Sequence, residues 1–350
     1  QDLPDKESAA MFFQDCKLTH QAQITGISHS VKEILPPDLL DLTQLQKEAN
    51  IRYGFTASEV YDIAQSLYEK KLISYPRTSS RYLTEDVLDS LSPIMARLLS
   101  WELFPAAKGT GGIDISSLSR HVINAEKANV HHAIIITGIR PGNLSEKEMQ
   151  VYRLVAGRML ETFMAPCRIE TTNVEAVCAA QHFKAEQTRI IEAGWHDVFM
   201  RSDMVPKSGY SVNELPEVEK SDTLNVCGCN MVHKKQLPVN PFTDAELVEY
   251  MEQNGLGTVS SRTNIIRTLV NRKYIRYSGK YIVPTPKGMF TYETIRGKKI
   301  ADTSLTADWE KQLAGLESGM ITGQDFLNRI RTLAKEMTDD IFNTYSTKEE

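Results

Sequence analysis

Tyr75 and Arg77, two positions apart, are the residues of this chain best suited to covalent chemistry. A phenol is a weak nucleophile near neutral pH, since its ordinary pKa is about 10. Pro76 biases Tyr75 toward extended backbone, in which the Arg77 guanidinium can lie close to the phenol and favour the phenolate. Because a guanidinium also binds phosphate oxygens, the pair suits phosphoryl transfer, and Thr78 and Ser79 add hydroxyls for neighbouring phosphates. By residue type alone, most tyrosines beside arginines are structural.

The segment before Tyr75 predicts a helix followed by a short extended run. Thr56 and Glu59 stand three positions apart, which is the spacing of a capping box at a helix start. Apolar residues then recur at helical spacing, and residues 72–75 follow as the extended run. The next helix is expected to begin near Thr84. Two helices therefore flank Tyr75.

A second segment with a similar order of elements lies nearer the C-terminus. Thr243 and Glu246 repeat the capping-box spacing, and another helix is expected to open at Ser260–Arg262. Residues 274–283 predict two short strands around Ser278-Gly279, which is a β-hairpin. Helix, turn, basic helix and hairpin form the winged-helix pattern, whose second helix usually contacts DNA.

Positive charge is concentrated in this second segment. The net charge of the chain is −5, yet residues 259–299 contain Glu293 as their only acid and ten basic residues: Arg262, Arg267, Arg272, Lys273, Arg276, Lys280, Lys287, Arg296, Lys298 and Lys299. A solvated cationic face would explain the charge alone. The interleaved aromatic residues are typical of a groove for single-stranded nucleic acid; they are Tyr274, Tyr277, Tyr281, Phe290 and Tyr292.

The region between the two segments predicts mostly β structure. Alternating apolar and polar residues over 169–177 and 223–226 indicate half-buried strands of an antiparallel sheet. A further strand is expected within Leu18–His29. Lys147–Phe163 is expected to be helical because its apolar residues recur at helical spacing.

Composition excludes several classes of protein. No apolar run approaches the roughly 18 residues of a membrane span, no signal peptide is recognisable, and no Walker A pattern for ATP occurs. The five cysteines are scattered, and Cys227-Gly228-Cys229 is too tight a spacing for the usual zinc ribbon. We therefore expect a cytoplasmic protein with reduced thiols and no structural metal in this chain.

Five blocks of the sequence resemble, in the same order, those of the type IA DNA topoisomerases, and they are most similar to the topoisomerase III branch. The first four are Asp41–Asn50 with Tyr53–Ala57, Tyr68–Thr78, His131–Ile135 (the HHAI segment), and Gly255–Thr258 with Arg262 (the GIGTxxTR motif). The closing block is Thr306–Glu310 with Leu316–Gly319. Each block alone is weak, but the ordered set is specific.

The resemblance implies a role for each matching residue. Tyr75 would attack a single-strand phosphodiester and keep a 5′-phosphotyrosyl link, Arg77 would position the tyrosine and the scissile phosphate, and His131 would donate a hydrogen bond to a phosphate. The other implied DNA contacts are Thr78, Ser79, His132, Thr258, Ser261 and Arg262, of which the last three lie at a predicted helix N-terminus that favours anions. Strand passage and religation by the free 3′-hydroxyl would need no ATP. Without the resemblance, a satisfied core histidine would be the commoner explanation of His131.

The sequence departs from the family pattern at three places. Ser79 stands where the family has Asp, and Ile136 stands where it has Pro. Where the family has GTPATR, residues Gly257–Arg262 of this chain read Gly-Thr-Val-Ser-Ser-Arg. Ser261 thus stands at the family's second threonine and keeps a hydroxyl donor there. The missing acid at Ser79 bears on catalytic competence.

The resemblance also implies a fold, an α+β multidomain arch of the type IA topoisomerase core with two helical winged-helix-like domains and a β-rich hinge. The hinge is expected from residues 12–38 and 167–238, the helical domain that carries Tyr75 from 39–166, and a winged-helix-like DNA-binding domain from 239–350. A Toprim domain, with an acidic Mg²⁺ site and a catalytic Glu, would precede Gln1. The chain is then expected to be a fragment that binds DNA but is inactive, or nearly so, by itself.

Two alternatives compete with this interpretation. A non-catalytic winged-helix DNA-binding protein would explain the helical segments and the basic residues, but not the ordered blocks. A tyrosine recombinase also uses Tyr, Arg and His, but its tyrosine follows the other two elements, whereas Tyr75 precedes His131. The expected partner is single-stranded or underwound DNA. A monomer without membrane attachment is expected, and the sequence identifies no helicase partner.

Overall fold

The structure, a computed structural model, describes residues 6–101, 103–104, 122–124, 126–128, 131–199, 215–232 and 240–346. The chain divides into two compact units. Unit 1 comprises Gln1–Pro37, Trp101–Ser119 and Leu160–Val239, and unit 2 comprises Asp38–Ser100, Arg120–Met159 and Asn240–Glu350. The division into three domains made from the sequence stays a prediction.

Unit 1 is built on a four-stranded antiparallel sheet. Its strands are β1 (Gln21–Ile34), β2 (Cys167–Cys178), β3 (Gln181–Glu192) and β4 (Thr223–Asn225), in the order β3-β2-β1-β4. The strands expected from alternation at 169–177 and 223–226, and within Leu18–His29, are confirmed. Helix α1 (Lys6–Leu18) precedes β1.

The cysteines of unit 1 are free thiols. Cys16, near the end of α1, and Cys178, at the end of β2, are both buried, and their thiols are hydrogen-bonded to each other. Burial, together with the neighbouring thiols of Cys178 and Cys229, raises the pKa of Cys16 to about 11. Cys16 is therefore protonated and weakly nucleophilic near neutral pH.

Unit 2 contains the four helices predicted around Tyr75 and nearer the C-terminus: α3 (Ala57–Glu69), α4 (Glu85–Ser100), α6 (Asp244–Gln253) and α7 (Arg262–Asn271). Its described part also contains helices that were not delimited from the sequence: α2 (Leu42–Tyr53), α8 (Pro286–Ile295), α9 (Thr303–Glu317) and α10 (Gly323–Ser346). Helix α5 (Glu146–Thr162) confirms the helix expected over 147–163. The hairpin β5 (Ile275–Ser278) and β6 (Tyr281–Pro284) is also confirmed. The α+β class is as expected.

Local sequence explains where the main helices of unit 2 begin. Both predicted capping boxes are present, at Thr56 with Glu59 and at Thr243 with Glu246, where hydroxyl and carboxylate satisfy free backbone N–H groups. Asp41 caps α2 by accepting a hydrogen bond from the Gln44 N–H. These caps fix the direction in which the chain enters each helix.

Two helices from the N-terminal part of unit 2 pack on two from its C-terminal part. Ala57 of α3 lies in one buried cluster with Val248 and Met251 of α6 and Ile266 of α7. The buried amide of Gln46 donates to the Ala57 carbonyl and to the Thr263 hydroxyl, so this contact leaves the amide N–H groups satisfied.

The two pairs of packed helices are structural repeats. The Ile134 N–H donates to the carbonyl of Leu40 before α2, and the Ile282 N–H donates to the carbonyl of Phe242 before α6. Lys71 after α3 and Lys273 after α7 both have φ of 60°. Up to Tyr75, each residue of the first repeat is separated from its counterpart by the 202 residues that separate Lys47 from Glu249. The loose similarity of the two segments therefore has a fixed register.

The same offset relates Tyr75 to Tyr277. Ile73 forms an antiparallel bridge with Ile136, as Ile275 does with Pro284. Tyr75 therefore occupies the hairpin position that Tyr277 occupies in β5. In the second repeat the hairpin closes in a tight turn, whereas in the first repeat the long segment 76–133 is inserted at this point.

Among the described residues, none of the helices has both the length and the apolar character that a bilayer crossing requires.

Candidate active site

Tyr75 lies on a short extended segment in which its neighbour Ser74 is hydrogen-bonded through both the backbone N–H and the side-chain hydroxyl. The Ser74 N–H donates to the Ile135 carbonyl at 2.8 Å, and the Ser74 hydroxyl accepts from the Ile135 N–H at 2.9 Å. The same hydroxyl donates to the Ala133 carbonyl at 3.1 Å. These bonds fix the backbone from which the half-buried Tyr75 side chain projects.

The Tyr75 ring lies between two other rings. The His131 ring centroid is 4.4 Å away, at an interplanar angle of 43°. Tyr68 of α3 meets Tyr75 edge-on, with centroids 5.5 Å apart. The structure thus brings together Tyr75 and His131, which the sequence separates by a long insertion, and leaves the imidazole exposed for a ligand.

Arg77 is held by two residues of α3. Its Nη2 donates to the Gln65 side-chain oxygen at 3.1 Å, and its guanidinium lies 5.0 Å from the centroid of the Tyr61 ring. Its Nε is buried without a hydrogen-bond partner in the part of the chain that the structure describes. An aromatic ring and an amide of the preceding helix α3 thus hold the guanidinium, and its action on the phenol stays a prediction.

The hydroxyls after Arg77 differ in exposure. Thr78 is 3% exposed, and its hydroxyl donates to the His131 carbonyl at 2.9 Å while accepting from the Ser80 N–H at 3.0 Å. A phosphate could receive the single proton of Thr78 only if the bond to His131 were given up, so Thr78 supports the loop in this state. Ser79 is exposed, with its side chain open to a ligand.

His132 is directed differently from its neighbour His131. Its Nδ1 lies 2.7 Å from the carbonyl oxygen of Ala133, which can only accept, so Nδ1 carries the proton. This bond fixes the tautomer and the orientation of the half-buried ring. DNA binding by His132 stays a prediction.

Sequence reasoning missed an ion pair that ties this loop to α2. Arg81 Nε donates to Asp41 Oδ2 at 2.6 Å, and the other oxygen of Asp41 caps α2. Burial alone would lower the pKa of Arg81, but the Asp41 carboxylate raises it above its ordinary value. An aspartate directly before an apolar helix pattern was the available signal for the cap, whereas no local signal points to its pairing with Arg81.

The Gly257–Arg262 turn places its three predicted DNA-binding residues in different environments. Thr258 is exposed, and its N–H donates to the Ser261 hydroxyl at 2.8 Å. Arg262 is only 8% exposed, with Nη1 at 3.4 Å from both the Glu252 carboxylate and the Thr43 hydroxyl. In this state Arg262 ties α7 to α6 and α2, and it does not face the solvent as a backbone-binding residue at a helix N-terminus would.

Half of the basic residues in 259–299 have carboxylate partners, so the positive surface is smaller than the sequence indicated. The paired residues and their partners are Arg262 with Glu252, Arg267 with Asp62, Arg296 with Glu293, Lys298 with Asp340 and Lys299 with Glu336. Five exposed residues form no ion pair with any carboxylate in the described ranges: Arg272, Lys273, Arg276, Lys280 and Lys287. These five, named here the hairpin cations, lie on and beside β5 and β6.

The described residues contain no group of three or more His, Cys, Asp or Glu side chains arranged to hold a metal ion. Binding of Mg²⁺ by an acidic domain outside this chain stays a prediction.

Comparison with known proteins gives a consistent result. A family model described as DNA topoisomerase matches residues 1–328. DNA topoisomerase 3 of Bacillus licheniformis is 32% identical over 91% of this chain and 47% of its own length, and that of Bacillus subtilis is 30% identical over 93% and 48%. The full-length topoisomerase I from Thermotoga maritima has the same fold, with a TM-score of 0.74, at 23% identity over 96% of this chain and 56% of that one. The chain thus spans about half the length of these relatives.

Proposed function

The chain belongs to the type IA DNA topoisomerase family, and we propose that it supplies the nucleophile and part of the DNA-binding surface for transient cleavage of a single DNA strand. The observation that carries this proposal is the meeting of Tyr75 with His131, at 4.4 Å between ring centroids, beside the Arg77 loop. A buried structural tyrosine would not need an exposed imidazole at its ring.

The proposed reaction is an exchange of phosphodiester bonds. The Tyr75 oxygen gives up its proton to solvent and bonds to phosphorus, while the bond from phosphorus to the 3′-oxygen breaks and that oxygen takes up a proton from solvent. The DNA thus remains joined through a 5′-phosphotyrosyl link. The departing strand ends in a 3′-hydroxyl, which attacks the phosphotyrosine to restore the DNA after strand passage. Because the bond energy is kept in the phosphotyrosine, the cycle needs no ATP.

His131 and Arg77 are assigned complementary parts in this proposal. The exposed imidazole of His131 can donate a hydrogen bond to a phosphate held against the Tyr75 ring. The buried Nε of Arg77 is a donor without a partner among the described residues, and a phosphate oxygen would satisfy it. Both would stabilise negative charge on the phosphate as it is transferred.

Further DNA contacts are proposed at Ser79, His132, Thr258, Ser261 and the hairpin cations. Exposed cations beside aromatic rings suit a flexible single strand, whose phosphates and bases can be bound together. We regard the second repeat, with its helix pair and hairpin, as a winged-helix-like DNA-binding element. The whole protein is proposed to act on single-stranded or underwound DNA as a monomer, with Mg²⁺ held by a Toprim domain outside this chain.

The test uses the full-length protein that contains this chain, with a 5′-end-labelled or 3′-end-labelled single-stranded oligonucleotide and Mg²⁺. A covalent adduct that carries the DNA by its 5′-phosphate is expected, and Tyr75→Phe should abolish it. Tyr250→Phe, which alters an exposed tyrosine on α6, is the matched control and should leave the adduct intact. DNA binding without any adduct would favour the non-catalytic winged-helix alternative.

A further inference from the structure

One face of α3 contacts both residues of the Tyr75–Arg77 pair. Tyr61, Gln65 and Tyr68 recur at helical spacing and therefore lie on one side of the helix. Tyr61 and Gln65 contact the Arg77 guanidinium, and Tyr68 contacts the Tyr75 ring. This face, named here the α3 platform, is fixed at its N-terminus by the Thr56–Glu59 capping box.

The partners of Arg77 on the α3 platform are electrically neutral. Gln65 accepts one hydrogen bond through its amide oxygen, and Tyr61 offers the negative face of its ring. Arg77 forms no ion pair with any carboxylate in the ranges that the structure describes, in contrast to Arg81, Arg158, Arg262 and Arg267 of the same unit. A half-buried guanidinium is thus oriented without being neutralised.

The remaining donors of Arg77 indicate what this arrangement is for. Its Nε is buried and has no hydrogen-bond partner among the described residues. An unsatisfied buried donor is costly, and an uncompensated positive charge in a half-buried position raises that cost. A phosphate bound at Arg77 would accept a hydrogen bond from the guanidinium and would compensate its positive charge. A carboxylate at position 65 would instead compete with the phosphate for that guanidinium.

We propose that Tyr61 and Gln65 are positioning residues that hold the Arg77 guanidinium oriented and un-neutralised for the phosphate attacked by Tyr75. This inference rests on the proposed function and assigns two residues that the sequence motifs do not. Neither residue needs to touch the DNA, because each acts through Arg77.

The test measures single-turnover cleavage of a single-stranded oligonucleotide by the full-length protein, together with oligonucleotide affinity. Tyr61→Leu removes the aromatic face and should slow cleavage on the order of three- to thirty-fold, the range of a cation–π contact. Tyr61→Phe keeps the face and should cleave at nearly the original rate. Affinity should change less than cleavage in both variants, because most DNA contacts lie elsewhere.

A double-mutant cycle separates positioning from packing. In an Arg77→Lys background, Tyr61→Leu should have little further effect, since the planar guanidinium that it positions is gone. Gln65→Glu should slow cleavage in the Arg77 protein by more than Gln65→Met does, because the carboxylate pairs with the guanidinium. If Tyr61→Leu destabilises the protein, the two Gln65 variants still decide the question.

Two results would overturn the inference while leaving the proposed function standing. One is a full additional loss from Tyr61→Leu in the Arg77→Lys background, which would mean that Tyr61 acts by packing alone. The other is Gln65→Glu cleaving as fast as the unaltered protein. Absence of a Tyr75-dependent adduct in the unaltered protein would instead remove the proposed function itself.

Discussion

At the scale of single residues, the structure explains one departure from the family pattern. Ile136 stands where the family has proline. Its N–H does not join the backbone bonds that hold the Tyr75 segment but points to the Met159 sulfur at 3.2 Å. The adjacent Ile135 N–H donates to the Ser74 hydroxyl at 2.9 Å, next to Tyr75. Only the second of these N–H groups helps to hold the segment that carries Tyr75.

This difference predicts opposite tolerance to proline at two neighbouring positions. Both substitutions remove a buried isoleucine side chain, so the prediction concerns the difference between them. At the backbone, Ile136→Pro removes a weak N–H···S bond, whereas Ile135→Pro leaves the Ser74 hydroxyl without its donor. Ile135→Pro should therefore cost about 1–3 kcal/mol more unfolding free energy than Ile136→Pro, with a loss of any Tyr75-dependent adduct. Urea unfolding and adduct formation measure the two effects. Equal destabilisation by both substitutions would contradict the assignment of these bonds.

At the scale of elements, the structure shows which features sequence could predict. Both capping boxes were predictable because hydroxyl and carboxylate lie three positions apart in one helix. The burial of Arg262 was not, since its partners Glu252 and Thr43 reach it only after α2, α6 and α7 pack together. The same holds for Arg77, whose neighbours Tyr61 and Gln65 lie on the preceding helix.

Packing of the hairpin on the start of α6 also shifts the pKa of one carboxyl group, that of Asp244, which the local sequence does not reveal. Asp244 is 2% exposed, and its carboxylate accepts from the Tyr277 hydroxyl at 3.2 Å and from the Ala57 N–H. Burial raises the pKa of Asp244 above its ordinary value despite these two bonds. By contrast, the exposed Asp302 caps α9, and the Ser304 N–H lowers its pKa.

The two aspartates should therefore contribute to stability with opposite dependence on pH. Because the folded-state pKa of Asp244 is raised, its contribution is fully present below the ordinary value of 3.8 and is lost as pH rises through the raised pKa. The contribution of Asp302 is present above 3.8 and is lost as pH falls through the lowered pKa.

Thermal unfolding of single Asn variants across acidic to neutral pH tests this prediction. Relative to the unaltered protein, Asp244→Asn should gain stability as pH rises, whereas Asp302→Asn should gain stability as pH falls. Asn has one acceptor oxygen where the carboxylate has two, so the pH dependence of the stability difference, and not its size, reports the charge. A pH-independent difference between the unaltered protein and Asp244→Asn would show that burial does not perturb this carboxyl.

At the scale of the whole molecule, unit 2 is organised by its repeat. Lys47 of α2 pairs with Glu249 of α6 at 2.8 Å, and these two residues are counterparts at the repeat offset. The repeats have corresponding helices and hairpin positions, but the two strands of each hairpin are connected differently. A long insertion that follows Tyr75 connects them in the first repeat, and a tight turn flanked by the hairpin cations connects them in the second. The sequence indicated two similar helical segments, but only the backbone pairing shows their register.

The difference between the repeats also explains how a chain with a net negative charge can present a local positive surface. Five basic residues of the 259–299 segment are paired with carboxylates, several from distant elements, and contribute little net field. The hairpin cations are unpaired with carboxylates among the described residues and share one small region of the second repeat. Local charge at the hairpin, and not the chain total, should set the affinity for DNA.

Salt dependence of DNA binding measures that local charge directly. Each phosphate contact on a single strand contributes about 0.7 to the magnitude of the slope of log affinity against log salt, because bound counterions are released. Arg276→Gln with Lys280→Gln should therefore lower the magnitude of the slope by up to about 1.4 and weaken binding most at low salt. Arg267→Gln with Lys299→Gln removes the same formal charge from residues already paired with Asp62 and Glu336, and should leave the slope nearly unchanged. Equal slopes for the two double variants would mean that total charge governs binding, and would exclude the hairpin as its site.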